Sequence, residues 1–387
     1  VRRLLAACAA SVALGAALIA GPAAAGATRE QAGPESPAAV PDGFRAQSVT
    51  WVTPGLGWLL GTATCEGGEP CTPVLRTRDG GRTWSAAGDV GAPLAPPGEP
   101  GVADVDFAGP LRGWAFGPSL HTTADGGRTW REAPLPGGGQ RVLDLVAGPA
   151  TVYAVVSPCA IGEPPWECTE PPTLWRAPAT PFGPARWRPV DVDLPVGAEA
   201  ELAQWGRTAY VVGQLPPPTP DAFYATTDGV RWSERPSPCD KEGNGEVLVD
   251  VAPTSPSDVA LLCVGSAGFS RAAKTAYRST DAARTTTSAG TAPELGILTE
   301  LAATRSGTLA MASTSSGSWI YLDDTGGTDW STPVAEGDGG AGWNDLSFTT
   351  DRVGWVVYAP ANWFPGTGTL MRTGDGGRTW AAAPLTG

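Results

Sequence analysis

The chain of 387 residues contains a single histidine, His121, and only 17% of its residues are charged. One histidine leaves room for a Ser-His-Asp triad only at that position. His121 stands just ahead of a tight polar turn, where a structural or solvent-facing role is expected. No P-loop, dinucleotide fingerprint or histidine-rich metal motif occurs, so phosphoryl-transfer and redox chemistry have no support. Long blocks of one charge sign are also missing. Long helical bundles are excluded because 52 Gly and 39 Pro interrupt regular structure throughout. A disordered chain is excluded by 16 Trp and 42% hydrophobic residues, which supply ample buriable surface. What remains is a turn-rich, mostly β protein.

The first residues have a different character. Arg2 and Arg3 precede an apolar run from Leu4 to Ala20, and the small residues Ala23, Ala24 and Ala25 follow it. This order predicts a secretory signal peptide over residues 1–25, cleaved after Ala25 or Ala27. Residues 26–43 lack apolar periodicity and read as a flexible Pro/Ala-rich linker. Removing Arg2 and Arg3 leaves 24 basic against 39 acidic residues, a formal charge of −15. Nucleic acid and anionic membranes are poor partners for such a chain. Six cysteines remain after Cys8 is lost. An exported chain with an even count is expected to form disulfides, and sequence order pairs Cys65 with Cys71, Cys159 with Cys168, and Cys239 with Cys263. Neither a metal site nor a cofactor is expected.

The main signal is a repeat. The octapeptide Thr-x-Asp-Gly-Gly-Arg-Thr-Trp occurs at 77–84, as T-A-D-G-G-R-T-W at 123–130, and again at 373–380. Degenerate copies end at Trp232, Thr286 and Trp330, and a nearly erased one spans Leu174 to Trp187. Successive end positions are 46, 57, 45, 54, 44 and 50 residues apart. That period suits four short strands with their loops, and seven periods predict seven propeller blades over residues 44–387. A second element precedes the octapeptide: Trp51 with Gly57-Trp58, Phe107 with Gly113-Trp114, and Phe348 with Gly354-Trp355, always at the same aromatic-to-Trp interval. The first part reads as strand A, the Gly-Trp part as strand B, and the octapeptide as the hairpin between strands C and D.

The octapeptide resembles the Asp-box, or BNR repeat, of sialidase-type β-propellers. With its strand A and Gly-Trp elements, the chain looks more like the photosystem II assembly factor family and its secreted bacterial relatives. The resemblance implies a single all-β, seven-bladed propeller of four-stranded antiparallel blades, and implies little about activity. Asp79, Asp125, Asp228, Asp281 and Asp375 are expected to brace their turns by accepting backbone hydrogen bonds. Trp84, Trp130 and Trp380, with Trp232 and Trp330, are expected to pack between blades.

Function is sought in the uneven loops. The B–C connections are long in blades 1, 3, 4, 5 and 7, and all leave the face opposite the octapeptide turns. Trp166, Trp363 and Phe364 stand there among prolines and are the candidate ligand contacts; their alternative role is to cap the blade tops. Asp104, Asp106 and Asp345 are expected along the central channel, holding water or a cation. The expected function is an exported, monomeric, non-catalytic binding or assembly scaffold for an extracellular protein or glycan. The alternative is a sialidase-type glycoside hydrolase, which needs an arginine cluster and a tyrosine nucleophile. Arg45 stands in the only comparable motif, Arg207, Arg271, Arg305 and Arg352 are the other arginines available, and Tyr153, Tyr210 and Tyr277 are the available tyrosines. No catalytic residue is assigned.

Overall fold

A computed structural model describes residues 38–95, 99–163, 167–180, 185–326, 329–336, 341–360 and 368–386. Within them the chain forms seven antiparallel sheets, each built from strands consecutive in sequence and paired in the order A-B-C-D. Blade 1 adds a short extra strand, Pro70–Cys71, against the end of its strand B. The A strands are Arg45–Thr53, Asp104–Phe107, Arg141–Ala147, Glu199–Trp205, Val247–Pro253, Leu298–Ala303 and Ala341–Phe348. Each touches the next, and the last touches the first, so the A strands ring a central channel.

The core is divided among the blade interfaces. Seven clusters of buried apolar residues each draw on two neighbouring blades, one for every interface including that between blades 7 and 1. The recurring aromatic interval has a direct physical reason. Trp51, Phe107 and Phe348 pair across strands with Gly57, Gly113 and Gly354. Each ring lies over its glycine, where a Cβ would come within 2.6, 2.5 and 2.8 Å of ring atoms. The tryptophan after the glycine points to the following blade: Trp58 stacks on Phe107 at 3.8 Å and Trp355 on Trp51 at 4.7 Å. One dipeptide therefore serves both its own blade and the next.

The octapeptide turns are closed by their own side chains. Asp125 Oδ1 accepts hydrogen bonds from the N–H groups of Arg128 and Thr129 and from Thr123 Oγ1, and Oδ2 accepts one from Thr129 Oγ1. The turns around Asp79 and Asp281 repeat this set, with Ser279 in place of threonine at the second. Gly126 and Gly127 take φ of 80° and 90°; in blade 5 the buried residues Ala282 and Ala283 occupy the same left-handed region. Blade 6 reverses the polarity: Asp323 stands in the hydroxyl position and accepts from Thr325 Oγ1 and from the Thr325 and Gly326 N–H groups. Trp84, Trp130, Trp232, Trp330 and Trp380 each join the cluster shared with the preceding blade.

Blade 7 takes all four strands from residues 341–382, so the ring closes without a borrowed strand. Ala46 and Gly368 exchange two backbone hydrogen bonds across that seam, and Trp84 N–H donates to Thr386 O. Ala38 also takes part, its carbonyl accepting from Ala86 N–H on strand D of blade 1.

Candidate functional site

Alternation along strand A decides what enters the channel. Ser48, Asp104, Asp144, Glu201, Asp250, Glu300 and Asp345 hold equivalent places, each followed by a buried aliphatic residue: Val49, Val105, Leu145, Leu202, Val251, Leu301 and Leu346. Asp106 adds a further carboxylate in blade 2. Together they line a cavity of about 1180 Å³ that extends from mid-strand A to the A–B turns, on the face shared with the octapeptide turns. Arg305 is the only cationic residue among those lining it, and it stands at the rim.

Most of these side chains bind the next blade. Val105 N–H donates to Ser48 Oγ at 3.1 Å, Ala147 N–H to Asp106 at 2.7 Å, and Leu202 N–H to Asp144 at 2.6 Å. Leu301 N–H donates to Asp250 at 2.6 Å, Leu346 N–H to Glu300 at 2.9 Å, and Val49 N–H to Asp345 at 2.7 Å. The last bond closes the ring, with Asp345 held at φ 58°. In blade 2 the acceptor is Asp106, not Asp104, although Asp104 is the positional equivalent of Asp345. Among the described residues no hydrogen bond reaches the carboxyl group of Asp104 or Glu201.

Burial pushes all seven channel carboxyls up from the ordinary carboxylate range. Asp106 is raised to about 6, burial outweighing the hydrogen bonds from Thr50, Ala147 and Phe107 that stabilise its charge. Asp104, Glu201 and Glu300 rise well above their usual values, because burial is joined by repulsion from neighbouring acids. Burial likewise lifts Asp144, Asp250 and Asp345. The channel therefore holds protons at pH values where exposed carboxylates have lost them. Among the described residues, the one trio of metal-ligating atoms within coordination distance is Cys65, Cys71 and Asp89, whose two sulfurs are joined in a disulfide.

At the rim on the octapeptide side, the Arg305 guanidinium lies 4.7 Å above the Trp205 ring. With Thr254, Pro256 and Asp258 they border a groove of about 290 Å³. Of the other arginines named from sequence, Arg207 and Arg352 also lie in A–B turns on this face. Arg207 donates to Asp228 O in a neighbouring turn, and Arg352 lies in the A–B turn of blade 7. Arg45 begins strand A of blade 1 and Arg271 lies in the B–C connection of blade 5, both on the opposite face. Tyr153 and Tyr210 are buried within blade interfaces, and Tyr277 is partly buried there. His121 is buried on strand C of blade 2, and burial lowers its pKa.

The opposite face carries the disulfides. Cys65–Cys71 and Cys159–Cys168 close the B–C connections of blades 1 and 3, and Cys239–Cys263 ties the segment entering blade 5 to its strand B. Trp166, Trp363 and Phe364 lie outside the described residues. An exposed aromatic that the sequence reading passed over does appear on this face: Phe269 in the B–C connection of blade 5.

No family model matches the chain, and no curated protein does. Among solved structures, YCF48 bound to D1 peptide is similar at 20% identity and TM-score 0.47, over 73% of this chain and 80% of that one. A GH74 enzyme of Niastella koreensis is similar at 12% identity and TM-score 0.30, over 88% and 78%. The Pyrococcus horikoshii acylaminoacyl peptidase is similar at 10% identity and TM-score 0.47, over 89% of this chain and 52% of that one.

Proposed function

We propose that the protein is an exported, non-catalytic scaffold that binds a protein or glycan through its B–C face. The observation that carries this reading is the concentration of all three disulfides and the long connections on one side of a rigid ring. Loops fixed by cross-links on a closed scaffold lose little conformational entropy on binding, which favours recognition. The disulfides are consistent with an oxidising compartment, and among the described residues no helix is long and apolar enough to cross a membrane.

The test is a glycan array probed with the purified secreted protein, with sialoside and aryl-glycoside hydrolysis assayed on the same preparation. The scaffold reading predicts no turnover. It also predicts that any glycan bound is released when the B–C connections of blades 3 and 7 are replaced by short turns. Turnover that Arg45→Ala abolishes would overturn it.

A further inference from the structure

Resting on that reading, we propose that the B–C connection of blade 5 is a docking knuckle for a basic peptide segment of a partner protein, anchored by one large apolar side chain against Phe269. The connection, residues 265–273, ends in a two-residue hairpin. Gly268 N–H donates to Arg271 O at 2.8 Å and Arg271 N–H to Gly268 O at 3.0 Å. Between them Phe269 and Ser270 take φ of 50° and 66°. A turn with two left-handed residues calls for Asn-Gly, and a bulky residue there is strained. The Phe269 ring is also fully exposed. The fold gains no packing from this ring and bears its strain and hydration, so its benefit lies in something that covers it.

The knuckle stands on a fixed base. Ser270 O accepts hydrogen bonds from Gly296 N–H at 3.0 Å and Ser315 Oγ at 3.2 Å, both in or before blade 6. Beneath it, the fully buried Lys274 ammonium donates to the carbonyls of Ala272, Pro293, Glu294, Leu295 and Gly296, at 2.8–3.2 Å. Tyr321 Oη donates to Leu295 O at 2.8 Å. A preorganised aromatic of this kind is the usual form of a binding hot spot.

The surroundings select the partner. Leu295 and Leu298, both exposed, flank Gly296, which forms a bridge with Arg271 of the hairpin. Exposed Asp240 and Glu242 lie in the segment entering blade 5, which the Ser266 N–H to Asn244 O bond ties to this connection. Glu294, also exposed, lies on the segment that follows blade 5, with the exposed Arg271 of the hairpin 4.0 Å from it. An apolar knuckle with an acidic surround is complementary to an apolar side chain flanked by lysine or arginine.

A phage-displayed library of random linear peptides, panned on the full protein, tests this. Enriched sequences are expected to pair a large apolar residue with neighbouring basic ones. Phe269→Asn keeps the turn and removes the ring, and should weaken those peptides about tenfold or more. Ser270→Gly relaxes the turn and keeps the ring, and should leave them unchanged; Glu242→Lys should weaken them several-fold. Unaltered melting temperatures would show that both turn variants fold. Acidic consensus sequences, no enrichment, or peptides indifferent to Phe269→Asn would overturn the site. The last of these would leave the wider scaffold reading standing, whereas the hydrolysis assay tests that reading on its own.

Discussion

Asp125 and Asp144 belong to neighbouring blades and both accept backbone hydrogen bonds, yet their acidities move in opposite directions. At Asp125, in an octapeptide turn at the surface, burial is the largest single influence, yet four hydrogen bonds together outweigh it and hold the carboxyl below its ordinary value. At Asp144, on the channel wall, two amide bonds cannot offset burial and the acids across the channel, and the carboxyl rises. Asp281, with the same hydrogen-bond set as Asp125, falls to about 2. The lesson is that a hydrogen-bonded aspartate stabilises a fold according to the charge density and dielectric around it, not its bond count alone.

The linkage signs differ accordingly. The lowered pKa values of the turn aspartates give stability that is present above about pH 4 and is lost as pH falls through their folded values. The raised channel values give stability that is fully present below the ordinary carboxylate range and is lost as pH rises through the folded values, about 6 at Asp106, Asp250 and Asp345 and about 7 at Asp144.

The largest departure should come from Lys274, a buried charge with many hydrogen bonds whose acidic neighbour, Glu294, favours its charge. Lys274→Met removes the donor to five carbonyls and should cost about 3 kcal/mol or more, read by chemical denaturation. A smaller loss is expected for Asp125→Ala, about 1–3 kcal/mol, because the turn amides it serves are near water and regain part of what they lose. An unchanged melting curve would remove the turn aspartates from the account. Smallest, and opposite in sign, is Glu201→Gln. It removes a repelled carboxylate that no hydrogen bond holds, and should raise the melting temperature at pH 8 by on the order of 2 °C. A fall there would mean that the charge at Glu201 stabilises the ring.

Much of this contrast could be read from sequence on one side only. The octapeptide is contiguous, so its spacing exposed the turns, the blade count and the strand order together. The Gly-Trp interval was equally visible, because ring and glycine meet within one hairpin. The channel acids are different: Asp144, Glu201, Asp250 and Glu300 share only a position in strand A, filled by Ser, Asp or Glu in turn, and their partners lie in the next blade. Asp104, Asp106 and Asp345 stood out because they adjoin the aromatic motif. Phe269 was concealed for another reason. Its exposure follows from a left-handed Phe-Ser turn, which turn preferences assign to Asn-Gly, whereas Trp166, Trp363 and Phe364 drew attention through their prolines.

The most direct test follows thermal unfolding of the wild-type protein and of an Asp104→Asn, Glu201→Gln double variant from about pH 3 to about pH 8. The account predicts a wild-type maximum near pH 5, falling on the acid side as the turn aspartates protonate and on the neutral side as the channel ionises. In the double variant the neutral-side decline should be shallower and the acid-side decline unchanged. A wild-type stability that climbs steadily to neutral pH, or a double variant with the same neutral-side slope, would contradict it.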